Sequence, residues 1–144
     1  MRRLLLILFV CVAAAQTTDV QRLLDESEAQ ANQQHFEAAV QKAQQAIALC
    51  RATSDKKGLA RAYRELSSAY YNWRKLDAAL EAAKQGEAAA AEARDSEFQI
   101  RNLLLAGSSL RDRGKLDEAL VDYNRALDIC RSTAIRTVRH PLCE

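Results

Sequence analysis

A five-residue pattern occurs three times in this chain at a fixed interval, and that interval constrains the fold more than any other feature. Phe36-Glu37-Ala38-Ala39-Val40, Leu76-Asp77-Ala78-Ala79-Leu80 and Leu116-Asp117-Glu118-Ala119-Leu120 align without gaps, each 40 residues after the last. The likeness extends in both directions. Ala43, Ala83 and Tyr123 align downstream, then Ala46, Gly86 and Ala126. Upstream, Leu23, Tyr63 and Leu103 align, then Ser27, Ser67 and Gly107, then Gln30, Tyr70 and Leu110. Cys50-Arg51-Ala52-Thr53 returns as Cys130-Arg131-Ser132-Thr133. A period of roughly 20–50 residues marks a chain built from stacked copies of one supersecondary unit. No single unit of that kind can bury its apolar face alone, so the copies must pack on one another.

The unit is helical. Small or apolar residues recur at three- and four-residue steps through Phe36, Ala39, Val40, Ala43, Ala46, Ile47 and Cys50, which is one face of a helix. The chain is rich in alanine, leucine, glutamine, glutamate and arginine, all good helix formers. Its one proline is Pro141, and its glycines are Gly58, Gly86, Gly107 and Gly114. A polar break divides each unit: Asn32-Gln33-Gln34-His35, Asn72-Trp73-Arg74-Lys75 and Arg111-Asp112-Arg113-Gly114-Lys115. Each unit therefore reads as helix A, tight turn, helix B. The spacing predicts A helices near 18–33, 57–73 and 97–112, and B helices near 36–52, 76–94 and 116–131. The fold class is all-α. An alanine where helix B crosses helix A lets the two axes approach, and the large residue opening helix B fills the gap between hairpins.

On these residues the chain resembles the tetratricopeptide repeat (TPR) family. The hallmark is a small residue in helix A, a turn, then an aromatic or leucine followed by an acid, a variable residue, alanine and an aliphatic. Gly107, Gly114, Leu116-Asp117-Glu118-Ala119-Leu120, Tyr123 and Ala126-Leu127 carry it in the third unit. Tyr63, Leu66, Ala69-Tyr70 and Leu76-Asp77-Ala78-Ala79-Leu80 carry it in the second. The 40-residue period exceeds the family's common ~34. It looks like the extended variety found in kinesin light chain and in bacterial proteins with a C-terminal caspase-like peptidase domain. The resemblance implies a right-handed superhelical stack of three repeats, at about 20–53, 60–93 and 100–133, within a segment 16–133. Two departures stand out. Gly86 takes the place of the late helix-B alanine, at about 1 kcal/mol in a helix interior. Unit one puts Glu26 and Gln30 where the others have Leu66 or Ala106 and Tyr70 or Leu110, as suits a capping repeat.

The family lines its concave surface with the A helices. Carried over position by position, unit one contributes Gln21, Leu24, Glu28, Ala31 and Asn32 to that groove. Unit two contributes Arg61, Arg64, Ser68, Tyr71 and Asn72; unit three contributes Arg101, Leu104, Ser108, Arg111 and Asp112. Four arginines against two acids make an acidic extended peptide a suitable ligand, since arginine pairs well with carboxylates. The competing reading is a solvated helix face held by local contacts such as Arg61 to Glu65. The terminal-carboxylate clamp of some family members is not expected: only Arg101 falls at a matching place, and Leu24, Glu28, Glu65 and Leu105 occupy the others. Trp73, the sole tryptophan, is expected to pack on a neighbouring turn.

The start of the chain points to export. Arg2-Arg3 precede the apolar run Leu4 to Val12, and Ala13-Ala14-Ala15 then meet polar residues, the pattern of a signal peptide cut after Ala15. The run is too short for a membrane span of ~20 residues. Val10 is too bulky for a lipid-attachment box at Cys11. Residues 1–15 are therefore expected to be removed, leaving a periplasmic or secreted protein with no stable membrane span. Removing Arg2 and Arg3 takes the 21 basic residues to 19, against 19 acidic, a net charge of zero. Duplex nucleic-acid binding draws on surplus positive charge, so nucleic acid is not an expected partner.

No catalytic constellation is present in the sequence. The two histidines, His35 and His140, lie in a turn and in the tail, and no Cys-x-x-Cys, His-Glu-x-x-His or phosphate loop occurs. The chain reads as a scaffold that binds a protein or peptide, not as an enzyme, with no cofactor and no metal. Without Cys11 it keeps Cys50, Cys130 and Cys143. Cys50 and Cys130 lie two helical layers apart, at ~8–10 Å a layer. That is too far for a disulfide, which needs its Cα atoms within ~7 Å. Residues 134–144 form a tail with no evident capping helix, which leaves three alternatives open. Residues 134–140 extend the last helix, or the open edge makes a homodimer, or the chain is the sensor or adaptor part of a longer protein with a caspase-like effector domain.

Overall fold

The computed structural model describes residues 18–138 as six α-helices, with side chains through residue 134. They are α1 (18–32), α2 (Phe36–Thr53), α3 (Lys56–Asn72), α4 (Leu76–Ala93), α5 (Ser96–Asp112) and α6 (Leu116–Val138). The predicted A helices are α1, α3 and α5; the predicted B helices are α2, α4 and α6. The signal peptide expected at 1–15 and the end of the tail from residue 139, with His140 and Cys143, lie outside the described residues. Among the described residues no helix is long and apolar enough to cross a membrane.

Repeated turn chemistry makes the repeated hairpins. Each A–B turn passes through one left-handed residue at the same repeat position: Gln34 (φ 63°), Arg74 (φ 61°) and Gly114 (φ 78°). The next residue then closes the helix end by donating its backbone N–H to a carbonyl five residues back. These bonds run from His35 to Gln30, from Lys75 to Tyr70 and from Lys115 to Leu110, each 2.9 Å long. Each B–A link reverses the chain at another left-handed residue, Ser54 or Arg94. The aspartate after it caps the following helix. Asp55 accepts from the Gly58 N–H and Asp95 from the Phe98 N–H.

Within a hairpin, small residues set the spacing. Ala39, Ala79 and Ala119 are buried where helix B crosses helix A. In the first two units a serine one turn from the crossing ties the helices together: Ser27 donates to the Ala39 carbonyl at 2.9 Å and Ser67 to the Ala79 carbonyl at 2.8 Å. The third unit has Gly107 there. The Tyr123 ring fills the space, and a Cβ on Gly107 would sit 2.6 Å from its Cε1.

Between hairpins, each A helix covers the outer face of the preceding B helix. Val40, Ile47 and Cys50 of α2 share one core cluster with Ala62, Tyr63 and Leu66 of α3. Leu80 and Ala83 of α4 pack with Ala106 and Leu110 of α5. Gly86 has its explanation at this second junction. Asn102 of α5 is fully buried against it, and its amide nitrogen donates to the carbonyls of Ala60 (3.3 Å) and Phe98 (2.8 Å). A Cβ on residue 86 would occupy the place of that amide.

Helix α6 differs from the expected B helix. Its predicted end near residue 131 is passed, and the helix continues to Val138. Residues 134–138 are therefore helix, the first of the three alternatives for the tail. The physical reason is local. Units one and two stop at Ser54-Asp55 and Arg94-Asp95, whereas unit three has Ala134-Ile135 at the same repeat positions and so offers no capping aspartate.

Candidate functional site

The A helices form one face because a 40-residue shift places equivalent side chains beside one another. Arg61 of α3 reaches back to α1, hydrogen-bonding Gln21 and lying 3.7 Å from Asp25. At the other end of α3, facing α5, the Tyr71 hydroxyl donates to Asp112 at 2.9 Å, and an Arg111 N–H reaches the Tyr71 oxygen at 3.4 Å. Arg74 closes that cluster with a 2.8 Å bond to Asp112. Hydrogen bonds from Arg74, then Tyr71, then Arg111 hold the Asp112 carboxyl down to about 2, so it is ionised across the physiological range.

Every arginine proposed for this face has an acidic neighbour within the chain. Arg61 has Asp25, Arg64 has Glu65, Arg101 has Glu97 at 2.7 Å, and Arg111 has Asp112 at 2.9 Å. The anticipated contact of Arg61 with Glu65 along one helix is not what forms. Glu65 is turned inward and buried, and Arg64 is its partner. Burial pushes the Glu65 carboxyl above its ordinary value, while Arg64 pulls it back. That ties Arg64 to a structural task. Arg101 and Arg111 are different. Their side chains are half exposed, and exposed pairs are worth only ~0–1 kcal/mol, so an incoming carboxylate can compete for them.

The remaining proposed residues divide in the same way. Leu104 and Asn72 are exposed, and Ser68 and Tyr71 are half-buried. Ser108 lies 3.2 Å from the Tyr123 hydroxyl, so it faces α6. Leu24 of α1 is fully buried, whereas Glu28 and Asn32 are exposed and Ala31 is half-buried.

One end of the face holds a hollow of about 280 Å³, where the starts of α1, α3 and α5 meet. Val20, Leu24 and Phe98 supply its apolar part, with Gln21, Lys57 and Arg61 at its edge. Phe98 and Lys57 were not picked out in the sequence. Their signal is positional: each stands in the first turn of an A helix, next to its capping aspartate. A larger hollow of about 490 Å³ lies away from this face, between the first A–B turn and Trp73. Trp73 packs half-buried on the first core cluster, not on the neighbouring turn, from which that hollow separates it, and Lys75 stacks 3.3 Å from its ring centre. Cys50 and Cys130 are both free thiols, one buried and one exposed. Among the described residues no group of three His, Cys, Asp or Glu side chains is placed to hold a metal ion.

No protein-family model matches this chain, and no curated protein matches it. Among solved structures it is similar to the crystal structure of the TPR domain of FLU from Arabidopsis, with a TM-score of 0.74 and 14% sequence identity. The match covers 81% of this chain and 98% of that one. The chain thus has the tetratricopeptide-repeat fold that the resemblance of its repeats implies.

Proposed function

We propose that this chain, a stack of three tetratricopeptide-type repeats, is a non-catalytic scaffold. In this reading the face of α1, α3 and α5 takes an extended segment of a partner protein. The observation that carries the reading is the continuity of that face: side chains 40 residues apart meet across neighbouring A helices at both ends of the stack, Gln21 with Arg61 and Tyr71 with Arg111. A peptide lying across the helices would meet a similar set of positions at each repeat. The half-exposed Arg101 and Arg111 favour carboxylates on that peptide, with exposed Leu104 between them as an apolar contact. The arginine-rich start, short apolar run and alanine site at residues 1–15 support export, so the partner would be met in a periplasm or outside the cell.

The test is fluorescence anisotropy with the chain beginning at Gln16 and labelled extended peptides. One set is rich in aspartate and leucine, and a matched set carries lysine for aspartate. The acidic set should bind more tightly, and Arg101→Glu with Arg111→Glu should abolish the preference. Equal binding of the two sets would remove the acidic specificity. Absence of any peptide selected by the chain from a displayed random library would remove the groove reading altogether. Export is tested separately, by expressing the full chain in a bacterial host and sequencing the N-terminus of the periplasmic or secreted product. A chain that stays in the cytoplasm with Met1 intact would refute it.

A further inference from the structure

Helix α6 presents an apolar face that the first two units keep covered. At one repeat position Val40 and Leu80 are 7% and 8% exposed, but Leu120 is 56% exposed. Seven residues on, Ile47 is buried and Leu127 is 45% exposed; three further, Cys50 is buried and Cys130 is exposed. Leu116 opens the same stripe at 59%. In units one and two the covering element is the next A helix, α3 or α5, lying antiparallel. Among the described residues no helix follows α6.

We propose that α6 packs against α6 of a second copy of this chain, antiparallel and about a two-fold axis near Asn124. Three observations select this occupant. First, an antiparallel helix is what this face receives in the other two units, so a second α6 takes the place of an A helix without a new packing mode. Second, the opposite end of the stack is unsuited to the face. The α1 residues aligned with the covering residues Ala62, Leu66 and Tyr70 are Arg22, Glu26 and Gln30. Arg22 and Lys42 both pair with Glu26, at 2.8 and 2.6 Å. Head-to-tail stacking would press Leu120 and Leu127 onto those charges. A two-fold contact avoids them and closes on itself.

Third, the charges along α6 are complementary to their own reversal. From Leu116 to Asn124 the helix has three acids, Asp117, Glu118 and Asp122, and no base. From Arg125 to Val138 it has Arg125, Arg131 and Arg136 against Asp128 alone. Antiparallel pairing about a two-fold between Tyr123 and Asn124 sets Leu120 against Leu127 of the second copy, and brings Asp117 within one residue of its Arg131.

The experiment is sedimentation equilibrium over a dilution series, under reducing conditions. It uses the full chain and the chain from Gln16, which keeps every described helix. Both should dimerise. Leu120→Glu with Leu127→Glu should raise the dimer dissociation constant about 30-fold or more while circular dichroism stays helical. Arg131→Glu should weaken the dimer by roughly 2–5-fold, the range of an exposed ion pair. Adding Asp117→Arg to Arg131→Glu should restore it. A monomer at every concentration overturns the proposal. So does a dimer confined to the full chain, which would assign the face to the apolar N-terminal run. A dimer indifferent to the leucine changes overturns it as well. A charge swap that fails to restore association overturns the antiparallel register. Peptide binding by the A-helix face, measured on the leucine-replaced chain, is read independently of all these outcomes.

Discussion

Replacing Gly86 by alanine would ordinarily stabilise a helix interior by about 1 kcal/mol, because glycine loses more backbone freedom on folding. Here the sign should reverse. An added Cβ would lie 2.6 Å from the Asn102 Cγ, 2.9 Å from its Nδ2 and closer still to Oδ1. The amide cannot swing into solvent, since Asn102 is fully buried and its nitrogen is held by the carbonyls of Ala60 and Phe98. Forcing a methyl group into a filled site costs about 1–3 kcal/mol, and displacing the amide gives up two buried hydrogen bonds worth about 1 kcal/mol each. After the helix gain, Gly86→Ala should destabilise the stack by about 2–4 kcal/mol, a fall in Tm of roughly 8–16 °C. The α2–α3 junction supplies the control. Its equivalent residues are Ala46 and Ala62, both fully buried. Gly86→Ala with Asn102→Ala rebuilds that pair at the α4–α5 junction and should recover most of the loss. Thermal and urea unfolding followed by circular dichroism measure all three variants. A single variant that melts at or above the parent temperature would refute the steric account of this junction.

Three further outcomes follow from groups that titrate or react. The carboxyl of Asp112 is held near 2 by its hydrogen bonds, below its ordinary 3.8, so it contributes stability that is present above 3.8 and lost as pH falls towards 2. Asp112→Asn should therefore unfold earlier than the parent in urea at neutral pH, and the difference should vanish across that acid window. Glu65 has the opposite sign: burial raises its carboxyl, so its contribution favours folding at low pH and is lost as pH rises past the ordinary 4.5. Glu65→Gln should be the more stable protein at neutral pH and lose that advantage in acid; a destabilised variant at neutral pH would mean the pair with Arg64 outweighs the burial cost. The Cys50 thiol is pushed up to about 11 by burial and by Asp55. In the Leu120→Glu, Leu127→Glu chain, whose α6 face is left open, iodoacetamide should modify Cys130 and spare Cys50 until urea unfolds the stack, as read by peptide mass mapping.

Much of the fold was legible because the signals that start and stop helices recur with the repeat. Asp55 and Asp95 begin α3 and α5, and residues 34, 74 and 114 turn the chain at the same place in each unit. The end of α6 was also present in the sequence, as a missing signal: Ala134-Ile135 stand where the aspartate cap would be, and no breaker follows until Pro141. The A-helix face was legible as a set of positions but not as a set of bonds. Spacing along one helix suggested Glu65 as the partner of Arg61, yet the neighbouring helix supplies Gln21 and Asp25. Interhelical partners depend on how two helices cross, which one helix's periodicity does not contain. Asp25 is hidden for that reason, whereas Glu97 lies on the same helix as Arg101, four residues before it, and its pairing follows from helical spacing alone.

The departures from the repeat occur in pairs, and this separates packing from recognition. Gly86 is small where Asn102 is large, against Ala46 with Ala62 at the other junction. Gly107 is small where Tyr123 is large, against Ser67 with Ala83 one unit earlier. In each case the space between two helices is filled, whichever helix supplies the atoms, as close packing requires. The A-helix face is free of that constraint where its side chains are exposed. The register 21, 61, 101 has Gln, Arg and Arg, and the register 31, 71, 111 has Ala, Tyr and Arg. A change at an interhelical position calls for a compensating change opposite it, whereas a change at Arg101 or Leu104 does not. Those exposed positions can therefore differ from unit to unit without disturbing the stack, which is what a surface that reads a non-repeating peptide requires.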